Sequence, residues 1–299
     1  MNGRLLLLAA AIVLFASCHE STHAVSPGTT KAFEDEEMKW RETRRAGLTK
    51  DSGWLTLVGL DWLHEGVNDV QLPSKPPLVA HVTLAGAKAT LQPDPAMSID
   101  GKPIVAPVEL KDDSDPQPTV VHVGSLSFLF IKRADKNGER YALRVKDANS
   151  EARAQFKGLD YFPADAKYRV EARFEPYNPP KKISITNVLG MVSDETSPGV
   201  LVFTLDGKEY RLEPILEQGE TDYFLIFKDA TSGKETYGAA RYLYAHPPGA
   251  DGKTIVDFNH AYNPPCAFTH FATCPLPPPQ NRLPIRIEAG EKVYAGGHA

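Results

Sequence analysis

Read from the N-terminus, the spacing of apolar residues changes character several times. Residues 5–16 (LLLLAAAIVLFA) form an unbroken apolar run behind one positive charge, Arg4. Residues 19–31 (HESTHAVSPGTTK) are polar, contain Pro27 and Gly28, and show no apolar period. Phe33, Trp40 and Leu48 then recur at near-helical spacing, with acidic residues early, basic residues late and Gly47 where a helix can stop. That charge order complements the partial charges at helix ends, so the pattern predicts a helix over residues 31–50, a scaffold lying on the domain that follows. From Trp54 onward the chain breaks into short apolar segments, among them WLTLVGLDWL, VAHVTLAG, TVVHVGSLSFLFIKR, GVLVFTLDGKEYRLEPILE and DYFLIFKDATSGKETYGAARYLYA. Gly66, Asp100-Gly101, Asn137-Gly138 and Asp206-Gly207 are the residue types that tight turns require. The expected fold is mainly β: a β sandwich over residues 51–157, then a second β-sandwich or barrel-like module over residues 158–299.

The first segment has the grammar of a secretory signal. Its apolar run of twelve residues falls short of the roughly twenty that a membrane-spanning helix needs. Cys18, directly after the small residues Ala16 and Ser17, resembles the bacterial lipobox cysteine, although Phe15 stands where Leu is usual. The resemblance implies a signal peptide over residues 1–17, lipidation of Cys18, and a lipid-anchored tether over residues 18–30. Acyl chains on that cysteine would hold the protein on a membrane while its fold remained soluble. His19 occupies the place where aspartate signals inner-membrane retention, which points to the periplasmic face of the outer membrane.

Removing 17 of 299 residues leaves 282, enough for two modules. The net charge of -5 gives no footprint for nucleic acid. None of the GxSxG, HExxH, GxxxxGK[ST] or GxGxxG patterns occurs, and no cofactor is implied. The expected partners are the membrane, through the anchor, and a small polar ligand or envelope component.

Candidate chemistry is concentrated near residues 257–282. Asp257, Asn259, His260, Tyr262 and Asn263 crowd together just before Pro264 and Pro265. In an extended segment Asp257, Asn259 and Ala261 would share one face, with Phe258, His260 and Tyr262 on the other. Prolines stiffen the loop beyond, a favourable setting for a binding site. Arg241 and Tyr237, on the preceding strand, complete a candidate ligand site with Asp257, Asn259, Tyr262 and Asn263; Asp257 is the candidate general base and Arg241 the anion clamp. Such residues equally serve as internal hydrogen-bonding posts for a long loop. Outside the cytoplasm Cys266 and Cys274 are expected to form a disulfide. A zinc set of Cys266, His270, Cys274 and His260 is the alternative, disfavoured by the flanking prolines. The run PLPPPQNRLP reads as a stiff strap.

The segments KDATSGKETYGAARYLY and DFNHAYNPPCAFTHFATCPLPPPQNRLPIRIEAGEK resemble the family known as domain of unknown function 1684, with further likeness in GLDYFP and GWLTLVGLDWLHEG. That resemblance implies no activity. The stretch EGVNDVQLPSKPP is similar to part of the forkhead-associated fold, but it lacks the arginine and the serine-histidine pair of phosphothreonine readers, so phosphopeptide binding does not follow. The sequence thus reads as an envelope lipoprotein that binds a small polar ligand through the DFNHAYNPPCAF region. The alternatives are a hydrolase or isomerase using Asp257, and a scaffolding protein.

Overall fold

The computed structural model describes residues 28–217 and 219–296. Cys18, the signal segment and most of the tether lie outside the described residues. The fold is mainly β: one N-terminal helix is followed by several antiparallel sheets, one of them a curled half-barrel.

The helix spans Lys31–Thr49, and Thr30 caps it by accepting the Phe33 N–H on Oγ1 at 3.2 Å. Its inward stripe contains Phe33, Glu37 and Leu48, all buried. Glu37 and Arg44 share the stripe because positions three and four apart lie on one helix face. Two charged side chains are therefore directed at the β modules.

In the first module one sheet has six strands, ordered Leu57–Trp62, Gly138–Asp147, Leu126–Asp135, Val120–Val123, Ser98–Ile99 and Lys102–Pro103. The other has four: Gly66–Leu72, Leu78–Ala85, Lys88–Leu91 and Val108–Leu110. Both contribute to one core in which Val82, Leu91, Phe128 and Leu143 are essentially inaccessible. Asp100 and Gly101 both take positive φ between the shortest strands, the tight turn their sequence predicts.

The second module is built on the long hairpin of Arg169–Thr186 with Val192–Leu205. Lys208–Leu212 pairs with the latter, across the Asp206-Gly207 turn, and Lys253–Asp257 with the former. Tyr223–Phe227 and Arg241–Ala245 pair separately. The core gathers Leu201, Phe203, Leu225, Phe227 and Phe258.

Alternation explains how the modules meet. Along Gly138–Asp147, Tyr141, Leu143 and Val145 enter the sandwich core, so Ala142 and Arg144 point to the opposite face. That outer face would normally be wet. Here Ala142 and Arg144 are buried as well, and a separate apolar cluster joins Leu57 of the first module to Ile183, Ile226 and Tyr242 of the second.

The proline strap closes the outside of the second module. Leu276 N–H donates to Thr186 O at 2.8 Å, and Tyr242 Oη donates to Pro275 O at 2.9 Å. Buried Asn281 fastens its end: Nδ2 donates to Glu213 O and Ile226 O, while Oδ1 accepts from Glu213 N–H.

Candidate functional site

The segment after Asp257 does not keep the extended alternation expected from its sequence. Asp257 Oδ1 accepts from Asn259 N–H at 3.0 Å and from Asn259 Nδ2 at 2.9 Å, closing a 3-10 turn over Phe258–His260. The two faces predicted for this segment are thereby replaced. Phe258 enters the core, and the His260 ring stacks on Trp40 with centroids 4.6 Å apart.

Most of the polar residues singled out by sequence face inward. Asn259, fully buried, also donates to Asp165 O and accepts from Asp165 N–H, each at 3.0 Å. Asn263, also fully buried, donates to Lys292 O at 2.8 Å, and its N–H reaches Glu291 Oε2 at 2.7 Å. Arg241 is wholly inside: its guanidinium reaches Asp229 Oδ1 at 3.1 Å and donates to Ala289 O and Ile287 O. It cannot clamp a ligand from there. Tyr237 Oη donates to Cys266 O at 3.0 Å. Both oxygens of Asp257 are engaged, the first by Asn259 and the second by Arg169 Nε, so the carboxylate acts as an internal brace.

Glu37, Asp257 and His260 form a compact group with cation-binding side chains. Arg169 already occupies it: its guanidinium contacts Asp257, Glu37 at 3.0 Å and Glu36 at 3.0 Å, and lies 4.6 Å from the Phe33 ring. A permanent guanidinium thus supplies the positive charge that a metal would bring. No corresponding group forms from Cys266, His270 and Cys274 among the described residues. Cys266 and Cys274 stand as free cysteines in contact, with Cys266 N–H donating to Cys274 Sγ at 3.1 Å; the bond expected between them is not present here.

A cleft of about 640 Å³ lies where the helix and both modules meet. Tyr262 is the member of the sequence-predicted ligand set that lines it. Tyr242 and Tyr262 meet edge to face at 5.8 Å, Phe224 stacks on Tyr244 at 5.0 Å, and Arg44 lies 4.6 Å over the Tyr262 ring. Arg44 is held by Glu291 Oε1 at 2.7 Å and donates to Asn263 O at 2.9 Å. The buried Asn263–Glu291 network therefore positions a cleft residue without entering the cleft. Tyr244, whose ring also lies near-parallel to that of Tyr262 at 6.5 Å, remains 44% exposed, leaving part of its side chain within a ligand's reach. Its hydroxyl donates to Glu217 at 3.0 Å, and burial pushes the Glu217 carboxyl above its usual range.

The first module contributes Trp54, Lys132, Arg133 and Arg144 to the same cleft. Arg133 pairs with Asp113 at 2.8 Å and donates Nε–H to Thr273 Oγ1 at 2.9 Å. Arg144 lies 5.4 Å from the Trp54 ring. Burial, and then the like charge of Arg133, push the Arg144 guanidinium down to about 10, still charged at neutral pH. Sequence reading missed these residues because Lys132, Arg133 and Arg144 sit in ordinary strands and Trp54 in a short 3-10 turn of helix. A smaller cavity of about 390 Å³ beside Tyr177 and Glu213 offers less, since Tyr177, Lys181 and Gln280 already hold the Glu213 carboxylate.

No curated protein matches this chain. It is similar to the uncharacterized protein from gene locus rrnAC0354 of Haloarcula marismortui, solved by solution NMR. The identity is 33%, over 47% of this chain and 78% of that one, with a TM-score of 0.40. The family model described as Protein of unknown function (DUF1684) matches residues 154–292, the second module with its strap, and leaves GWLTLVGLDWLHEG outside. The chain belongs to that family.

Proposed function

We propose that this protein is an envelope lipoprotein that binds a small polar ligand in the cleft between its two modules. The observation that carries the reading is the cleft itself, whose walls converge from the helix, the first module and the second. Aromatic rings with a few convergent polar groups, set between modules, are the usual composition of a small-molecule site. The accessible Tyr244 face offers apolar contact, while Glu217 and Glu195 offer acceptors to ligand hydroxyl or amine groups. Lipidation at Cys18 would place this cleft at the membrane surface, facing the periplasm.

A thermal-shift screen of small polar compounds on the purified protein tests the reading. A ligand at 100 times its Kd adds about 2.7 kcal/mol of apparent stability, enough to register as a shift in Tm. Hits should lose their shift in Tyr244→Ala, whose own melting stays near that of the parent. Hits that survive Tyr244→Ala and Tyr262→Ala would place binding elsewhere. For the anchor, labelling with a fatty-acid probe should mark the parent and leave Cys18→Ser unmarked.

A further inference from the structure

Arg144 is a buried charge with no ion pair of its own among the described residues; the nearest carboxylate to act on it, Asp113, is already paired with Arg133. Arg144 is only 7% exposed, its Nε has no hydrogen-bond partner, and among the described residues the one hydrogen bond of its guanidinium runs from Nη2 to Thr273 Oγ1 at 3.4 Å. Among the described residues the ion pairs of this wall join Arg133 to Asp113 and Lys132 to Asp112 and Glu139; none includes Arg144. Arg241 makes a useful contrast. It too has an unpartnered Nε, yet Asp229 answers its charge and it does not line the cleft.

We propose that Arg144, with Arg133 and Thr273, seats an oxyanion, a carboxylate or phosphoryl group, carried by the ligand of the cleft; this rests on the cleft reading above. The geometry supports it from both partners of the hydroxyl. Thr273 Oγ1 accepts from Arg133 and Arg144 together, which leaves its own proton to donate. Two guanidinium groups and one hydroxyl then present donors to a single anion. An arginine cannot shed its proton to relieve burial, so an arriving oxyanion supplies the missing countercharge. Glu195 and Glu217 line the same cleft and repel a second anionic group. The ligand class is therefore a molecule with one oxyanion, an apolar ring or carbon face for Tyr244, and hydroxyl or amine donors elsewhere.

The test uses inorganic phosphate and acetate as probes, added to the full chain at constant ionic strength with chloride as control. Arginine Nε–H signals are followed by NMR, the Arg144 signal being the one lost in Arg144→Lys. The expected result is a saturable shift of the Arg144 signal. Phosphate acting alone identifies a phosphoryl ligand, and acetate acting alone a carboxylate. Arg144→Gln should weaken binding by roughly tenfold or more, because hydrogen bonds to charged groups contribute on that scale, with Arg133→Gln as a second variant should the first fold poorly. Failure of both anions to move the Arg144 signal, or equal shifts with chloride, overturns the oxyanion seat. If neutral hits still depend on Tyr244 in that case, the cleft reading stands alone. If the anions act on Arg144 while Tyr244→Ala changes nothing in the screen, the seat stands and the wider cleft reading falls.

Discussion

The buried network around Asp257, Asn259 and Arg241 and the cleft wall around Arg144 are both rich in polar side chains, but they differ in where those chains find partners. In the network, Asp257 and Asn259 bond one another, Asn259 also bonds the Asp165 backbone, and Arg241 is matched by Asp229. At the cleft, Arg144 has a hydroxyl where a carboxylate would be needed. The density of polar residues along a sequence therefore locates places where polar groups are needed, without saying whether the need is met internally. A loop folded over a β module has many backbone groups lacking sheet partners, and Asp, Asn and Arg side chains answer them.

Three measurements can break or sharpen this contrast. The largest effect is expected at Asp229→Ala, which strands the fully buried Arg241 charge. Removing one partner of such a pair costs about 3–5 kcal/mol, measurable by urea denaturation. A loss below about 1 kcal/mol, the range of exposed ion pairs, would remove Arg241 from the structural side of the comparison.

Next comes the cysteine pair, which straddles the two regions: Cys274 lines the cleft, while Cys266 accepts the Tyr237 hydroxyl on its backbone carbonyl. On the proposed envelope location, oxidation would join them, and closing a nine-residue loop would add about 2.5 kcal/mol of stability. Alkylation followed by mass spectrometry of protein recovered from the envelope should find both thiols blocked; two alkylated cysteines would refute the bond.

The smallest effect is a pH dependence beside the cleft, at Lys146, two positions from Arg144 on the same strand. Burial, followed by the Arg144 charge, pushes the Lys146 ammonium down to about 8 from its ordinary 10.5. Between these values the unfolded chain binds more protons than the folded one, so stability should rise with pH across that window. Below it the charged form is retained in both states and the effect is constant. Lys146→Met should flatten the rise in denaturation curves taken from pH 7.5 to pH 10. A parent protein whose stability falls across the window would contradict the burial of the Lys146 ammonium beside the Arg144 charge.

Part of this arrangement is legible in one dimension. Thr30 before the helix, Asp100-Gly101 and Asp206-Gly207 at tight turns, and the alternation along Gly138–Asp147 all act within a few residues, through capping, left-handed backbone and strand period. The helix even carried an unread signal: Glu37 and Arg44 interrupt the stripe marked by Phe33, Trp40 and Leu48, and a charge on an inward stripe needs a partner inside. Alternation likewise put Arg144 on the outer face of its sheet, where a charge is unremarkable.

By itself, then, the sequence determined the mainly β class, the cap and the hairpin turns, since these depend on neighbours a few positions away. Only tertiary structure decided that Asp257, Asn259 and Arg241 are braces and that Trp54, Arg144, Tyr262 and Thr273 share one cleft. Packing the second module over the outer face of the first strips water from Arg144 and sets it against residues more than a hundred positions away, and no local period records that event.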